Sequence, residues 1–457
     1  LITVSNRVGV PTPGAGRAGG LEAALREALE ADGGIWFGWS GAVGETRSDT
    51  PKMLKKGKVT FATVDLSRTD YEDYYLGYAN STLWPLLHYQ LGLIEFHRKQ
   101  FEGYISVNQY LAKLLVPLIA PDDMIWVHDY HLIPLAEELR KLGVANRIGF
   151  FLHTPFPATD IMVALPHHDV IMRALCSYDL VGLQTENNVR AFLDYIAREA
   201  NGRLEFDGSL SAYGKLTRVM CFPIGIDTEG FAKSAVRAIR SVEARRLKDS
   251  IADRQLIIGV DRMDYSKGVR TRFEAIDDLL TEWPEMAAKF TYLQITPPSR
   301  SDVLPYQALR REVEHAAGHV NGKYSDIDWA PIRFVVRPVS RGALAGIYRF
   351  SRIGLVTPWR DGMNLVAKEY VASQDPEDPG VLVLSRFAGA AAELKTAILV
   401  NPLDPSEIGA AIHQALKMGL RERRERWEAM MAVLRGNTID DWSANFLKAL
   451  GATRPLD

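Results

Sequence analysis

The segment Ile353-Gly354-Leu355-Val356-Thr357-Pro358-Trp359-Arg360-Asp361-Gly362-Met363-Asn364-Leu365-Val366-Ala367-Lys368-Glu369 decides the fold. Its apolar opening gives way to a Gly-containing turn and then to a helical pattern, so it reads as strand, turn and helix. Such a turn presents a row of free backbone N–H groups at the helix start, which suits an anion or a polar ligand. Asp361 sits in the turn and Glu369 lies about two helical turns on. Two carboxylates there can accept hydrogen bonds from sugar hydroxyls while the amides between them donate. The plainer alternative is an N-cap Asp followed by a solvated Glu. Two further polar clusters at strand ends, near residues 262 and 129, favour the functional reading.

Outward from this segment, short apolar strands alternate with helical patterns, the signature of parallel α/β sheets. In the first half, strands are expected over residues 2–5, 35–39, 59–64, 124–128, 148–153 and 180–184, with helices over 21–30, 103–118 and 132–142. A second series is expected at 256–260, 290–295, 334–336, 354–356, 381–384 and 398–400. Residues 203–222 read as a hairpin or irregular segment closing the first half. A chain of 457 residues exceeds what one core usually fills, so two domains are expected. They divide as 1–225 and 226–440. A terminal segment, 441–457, has Trp442, Phe446, Leu447 and Leu450 on one face and should pack back towards the first domain. Two doubly wound domains facing each other would form a cleft at the carboxyl ends of their strands, where ligands bind.

Hydrophobic content of 47% with 24% charge is ordinary for a globular protein, and a formal charge of −2 gives no global field for nucleic acid or anionic membrane. Any phosphate site must therefore be local. The chain has only two cysteines, Cys176 and Cys221, too few for a disulfide framework, and a cytoplasmic setting is expected. Both read as small core residues. No run of about twenty apolar residues suggests a membrane span. The opening Leu1-Ile2-Thr3-Val4 already reads as a core strand, so a few residues are expected before it.

Three clusters carry the chemistry. Ser5-Asn6-Arg7 leads through a Gly- and Pro-rich loop to Ala18-Gly19-Gly20, where paired glycines would let backbone approach a phosphate. The spacing is not the dinucleotide fingerprint, and no Walker A motif is present. Asp261-Arg262-Met263-Asp264-Tyr265-Ser266-Lys267-Gly268 follows an apolar strand. Arg262 and Lys267 are spaced to converge on one diphosphate, a fork and a point charge that would stabilise a departing nucleotide. The alternative pairs Arg262 with Asp261 or Asp264 on the surface. Trp126-Val127-His128-Asp129-Tyr130-His131 and Phe150-Phe151-Leu152-His153-Thr154-Pro155 each end a strand in polar residues. His128 and His131 offer only two nitrogens, so no metal site is expected. Asp129 is read as accepting hydroxyls and His153 as donating to substrate. His167 and His168 read as helix surface, and the run from Arg421 to Arg426 as a solvated face. Arg300, Trp39, Tyr75 and Trp84 lie near loops, where residue type alone does not single them out.

Ser5-Asn6-Arg7, Trp36-Phe37-Gly38-Trp39-Ser40-Gly41, His128-Asp129-Tyr130-His131, Gly149-Phe150-Phe151-Leu152-His153, Asp264-Tyr265-Ser266-Lys267-Gly268 and Asp361 to Glu369 together resemble the trehalose-6-phosphate synthases, in order and over essentially the whole chain. The resemblance implies a GT-B glycosyltransferase, two Rossmann-like domains facing a deep cleft. It would move glucose from UDP-glucose to glucose 6-phosphate with retention, without metal or other cofactor. Arg7, Tyr75, Trp84 and Arg300 would hold the acceptor phosphate, with Trp39 and Asp129 around the acceptor sugar. Gly20, Arg262 and Lys267 would hold the diphosphate. Asp361 and the amides of Met363, Asn364 and Leu365, with Val366 beside them, would hold donor glucose or diphosphate, Glu369 the ribose, and His153 the donor glucose. The catalytic set implied is His153, Asp129, Arg262, Lys267 and Asp361. Partners would be the two small substrates, with no nucleic acid or membrane and with a homo-oligomer left open. Relatives often carry an aromatic near the base where this chain has Arg337-Pro338-Val339, so uridine contacts there would be main-chain. Two rivals share the fold: a pseudo-glycosyltransferase joining a nucleotide-activated cyclitol to a cyclitol phosphate, and a catalytically silent sugar-phosphate sensor.

Overall fold

In the computed structural model, residues 1–10, 29, 33–299 and 304–453 are described. The chain forms two compact units, Leu1–Ile224 with Ile439–Asp457, and Gly225–Thr438.

The first unit is built on strands β1 (Ile2–Arg7), β2 (Gly34–Gly44), β3 (Lys52–Lys56), β4 (Val59–Ser67), β5 (Ile125–His128), β6 (Ile148–Phe151), β7 (Leu180–Leu183), β8 (Arg203–Leu204), β9 (Leu210–Ala212) and β10 (Lys215–Cys221). Their order is β3-β4-β2-β1-β5-β6-β7-β10-β9-β8. From β4 to β10 every pairing is parallel, and antiparallel β3 and β9 border this block. The central strands β5, β6 and β7 are buried along their whole length, which explains their unbroken apolar runs. The order reverses between β1 and β5, so the carboxyl ends of those two strands form a switch point.

The helix Ile439–Gly451 completes this unit. Its Phe446 ring stacks on Trp126 at 4.7 Å and lies over two glycines of the sheet. A Cβ at Gly149 or Gly182 would come within 2.7 Å of that ring, so both positions must lack a side chain for the helix to seat.

The second unit carries β11 (Gln255–Val260), β12 (Phe290–Ile295), β13 (Ile332–Val335), β14 (Ile353–Val356), β15 (Val381–Ser385) and β16 (Ile398–Val400). The order β13-β12-β11-β14-β15-β16 is all parallel, with its reversal between β11 and β14. Ile257, Phe273, Ile276, Leu279, Tyr292, Leu355 and Val383 lie in the core beneath the helices on one face. The polar segments after β11 and β14 therefore meet at this unit's switch point.

Three features depart from the sequence-based expectations. Residues 71–83 form a π-helix, Tyr71–Leu83, followed directly by the helical turn Trp84–Leu87, so Tyr75 and Trp84 belong to helical elements and not to loops. Asn80 and Ser81 stabilise this widened spiral by donating to the carbonyls of Tyr75 and Leu76, five residues back. The exposed edge strand β3 went unread because Lys52, Lys55 and Lys56 interrupt its apolar pattern. Arg423 is buried, donating to the Pro379 carbonyl and to Asp378, while its neighbours in the charged run stay on the surface.

Both cysteines are free, Cys176 buried and Cys221 half-buried. No helix among the described residues is long and apolar enough to cross a membrane.

Candidate active site

In the first unit, the switch point brings together the ends of β1, β2, β5 and β6. Arg7 is the last residue of β1, and its guanidinium lies about where a side chain on Gly41 would begin, with a Cβ there only 2.8 Å from Nε. Gly41 also has φ +92°, a conformation that favours glycine. Trp39 of β2 packs edge-on against Tyr75 with ring centroids 5.3 Å apart, and Tyr75 stacks on Tyr71 at 5.4 Å and on His131 at 5.9 Å. This aromatic row joins β2 and the turn after β5 to the π-helix. Tyr74, one position away, donates to Asn6 Oδ1 at 2.8 Å and so ties the same helix to the end of β1. Trp84 stands outside the row, buried against His88 and Tyr130.

Asp129 follows β5 with φ +74° and ψ 163°, a backbone conformation otherwise almost confined to glycine. Its Oδ1 accepts from the His153 backbone N–H at 3.3 Å, linking the turns after β5 and β6. His128 Nδ1 and His153 Nε2 stand 3.2 Å apart. Burial holds His128 well below its ordinary pKa, with His153 adding to the effect, and burial lowers His153 to about 3. Both rings are therefore neutral at pH 7, one donating and the other accepting. A neutral His153 can exchange a hydrogen bond with a sugar hydroxyl without adding charge to the site. Trp442 of the terminal helix walls the pair, 6.1 Å from the His153 ring and 6.3 Å from the His128 ring.

In the second unit, the turns after β11 and β14 interlock. Lys267 Nζ donates to Asp361 Oδ2 at 2.5 Å, and Asn364 Nδ2 donates to the same oxygen at 3.1 Å. Asn364 caps the helix Leu365–Ser373 from a left-handed conformation, φ +78°, its side chain accepting from the Ala367 N–H. The backbone N–H groups of Met363, Asn364, Leu365 and Val366 donate to no group among the described residues, leaving a helix start open to an anion. Gly389 buttresses the turn so closely that a Cβ there would stand 1.8 Å from the Gly362 carbonyl oxygen.

Behind the Lys267 turn lies Arg272, fully buried in the helix Val269–Glu282. It donates to Asp261 at 2.6 Å, Thr357 at 2.9 Å, Gln294 at 3.1 Å and the Lys267 carbonyl at 3.0 Å. Asp261 is thus committed to Arg272, and this one guanidinium fixes three strand ends. Burial works against the Arg272 charge, but Asp261 beside it keeps its pKa raised. Arg262 is exposed on the same turn. Glu369, one helical face further, is buried and paired with Arg341 at 3.0 Å. Burial pushes its carboxyl above the usual range, against the pull of Arg341.

Gly20 and Arg300 lie outside the described residues. Of the others, Arg7, Trp39, Tyr75, Asp129 and His153 form one constellation in the first unit and Lys267, Asp361 and the 363–366 amides one in the second, with Trp84, Arg262 and Glu369 set apart from these. Tyr71, Arg272 and Arg341 were not singled out from sequence, and His128 was weighed there only as a metal ligand. The spacing of Tyr71, Tyr74, Tyr75 and Tyr78 was a helical stripe that could have flagged the π-helix. No group of three metal-ligating side chains occurs among the described residues.

Two doubly wound sheets with polar, anion-ready strand ends define an α/β enzyme of the GT-B fold. The model of glycosyltransferase family 20 matches residues 10–452. A trehalose-6-phosphate synthase of Sinorhizobium fredii is 50% identical over 456 residues, covering 99% of this chain and 98% of that one. A Burkholderia xenovorans α,α-trehalose-phosphate synthase (UDP-forming), solved in complex with glucose-6-phosphate, superimposes with a TM-score of 0.95 at 48% identity, covering 99% of both chains. An E. coli structure named for trehalose-6-phosphate and bound with UDP-2-fluoro glucose gives 0.94 at 45% identity, covering 100% of both. The chain belongs to glycosyltransferase family 20, and the resemblance to the trehalose-6-phosphate synthases is borne out.

Proposed function

We propose that this protein transfers glucose from UDP-glucose to glucose 6-phosphate, giving α,α-trehalose 6-phosphate and UDP, with retention at the anomeric carbon and without a metal. The observation that carries this reading is the clasp of Lys267 and Asp361 over a helix start whose amides are uncommitted. Relatives solved with glucose-6-phosphate and with a UDP-sugar support both halves of the substrate pair.

Arg7, Tyr75, Trp84 and Arg300 are assigned to the acceptor phosphate, Trp39 and Asp129 to the acceptor sugar. Gly20, Arg262, Lys267 and the amides of residues 363–366 are assigned to the donor diphosphate and glucose, with Asp361 and His153 on the glucose and Glu369 on the ribose. When diphosphate arrives, Lys267 exchanges its bond to Asp361 for phosphate oxygens, and Asp361 becomes free to accept from a sugar hydroxyl. No carboxylate is assigned as nucleophile. The attack is front-face, through an oxocarbenium-like state, and the departing diphosphate takes the acceptor proton. Fixed charge on that diphosphate and the positioning of both substrates supply most of the rate.

The test is UDP release from UDP-glucose, with and without glucose 6-phosphate, in excess chelator, with the sugar product identified. Acceptor-dependent release of a non-reducing disaccharide phosphate supports the proposal. Tight UDP binding with no turnover of glucose donors overturns it in favour of a cyclitol substrate pair, and loss of turnover in chelator overturns the metal-free part alone.

A further inference from the structure

We infer that Arg341 is the positioning residue of the ribose site: it grips one oxygen of Glu369 and leaves the other for the nucleotide sugar's ribose hydroxyls. This rests on the proposed role of Glu369 and extends it to a residue outside the substrate contacts.

Arg341 Nε donates to Glu369 Oε1 at 3.0 Å, and Nη2 stands 3.0 Å from the same atom. Oε2 accepts no hydrogen bond among the described residues, and it is not one of the unit's enclosed polar atoms. The carboxylate is thus anchored by one edge and presented by the other. Asymmetric anchoring matters for a cis-diol, because a carboxylate free to rotate must be ordered when the ribose binds.

The anchor is itself held. The Arg341 guanidinium lies over the Phe231 ring at 5.0 Å. Phe231 belongs to the helix Thr228–Ala238, against which the helix Arg341–Phe350 packs so tightly that a Cβ on Gly346 would come within 2.4 Å of the Ala238 carbonyl oxygen. Arg341 is also the first residue of its helix, where the backbone dipole disfavours a cation. A residue that breaks a local rule and is compensated by a buried carboxylate and a ring is serving the site. Burial alone would favour a protonated Glu369, and a protonated acid would offer the ribose a weaker acceptor; Arg341 opposes this.

The experiment compares UDP-glucose with its 2′-deoxy and 3′-deoxy uridine analogues as donors, in wild type, Arg341→Ala, Arg341→Lys and Phe231→Leu. Wild type should lose on the order of tenfold or more in kcat/KM when a hydroxyl facing a charged acceptor is removed. Arg341→Ala should lose a similar factor with UDP-glucose, mainly in KM, and then scarcely distinguish the three donors. Arg341→Lys keeps the charge without the fork and should distinguish them partially, as should Phe231→Leu, which leaves both charges in place. If Arg341→Ala fails to fold, the other two variants decide. Wild-type discrimination in every folded variant would overturn the inference. No discrimination by wild type would instead remove Glu369 from the ribose, and the inference with it.

Discussion

Each constellation depends on one side chain held by another. Lys267 is the sharpest case, because its free-state partner is the very carboxylate assigned to the sugar. Lys267→Ala should lower kcat by roughly 10²–10³-fold, as loss of a preorganised charge does, with little change in acceptor KM. Steady-state kinetics with each substrate varied checks it, and an unchanged kcat refutes it. His128 and His153 give a second expectation. Their folded pKa values lie below 6.5, so below that pH the unfolded chain takes up protons that the folded one refuses. Their contribution is complete above about pH 6.5 and is progressively lost as pH falls below it, at up to about 1.4 kcal/mol per pH unit for each ring. Urea midpoints between pH 5 and 7 should therefore fall less steeply for His128→Gln than for wild type. Residue types and strand-end positions made Lys267, Asp361, Asp129 and His153 legible in the sequence. Arg272 and Arg341 were not, because Arg272 sits within and Arg341 at the start of an ordinary helix, and only the fold turns each towards a site.

Among elements, parallel strands with both faces covered announce themselves as apolar runs, and β5, β6, β7 and β14 were read to within a residue or two. The π-helix Tyr71–Leu83 escaped because polar and small residues between its helically spaced tyrosines dilute the apolar pattern. Glycine bears on the sheet in a different way. At Gly182, three rings, Phe446, Phe151 and Phe222, stand within 3.1 Å of where a Cβ would be. Gly182→Ala should cost about 1–3 kcal/mol through overpacking, and pairing it with Phe446→Leu should recover part of that. Chemical denaturation of the single and double variants measures both. Equal destabilisation of the two would show that the rings can move aside.

At the scale of the molecule, the first unit is discontinuous in sequence and the second is not. Deleting residues 439–457 strips Trp442 and Phe446 from Trp126 and Phe151. The shortened chain should lose the unfolding transition of its first unit and its glucose 6-phosphate binding, while retaining a cooperative second unit that binds UDP. Calorimetry with each ligand separates these outcomes, and retained acceptor binding would show the helix to be dispensable. Biosynthesis adds a timetable. Some 200 residues separate Ile224 from Ile439, and at about 5–20 residues per second their translation takes on the order of ten seconds or more. Throughout that interval, while the second unit is still being made, the nascent first unit carries an uncovered aromatic face. The helix that closes that face also supplies the wall beside His128 and His153, so a chain whose translation stops short of it lacks one side of the proposed donor-glucose site.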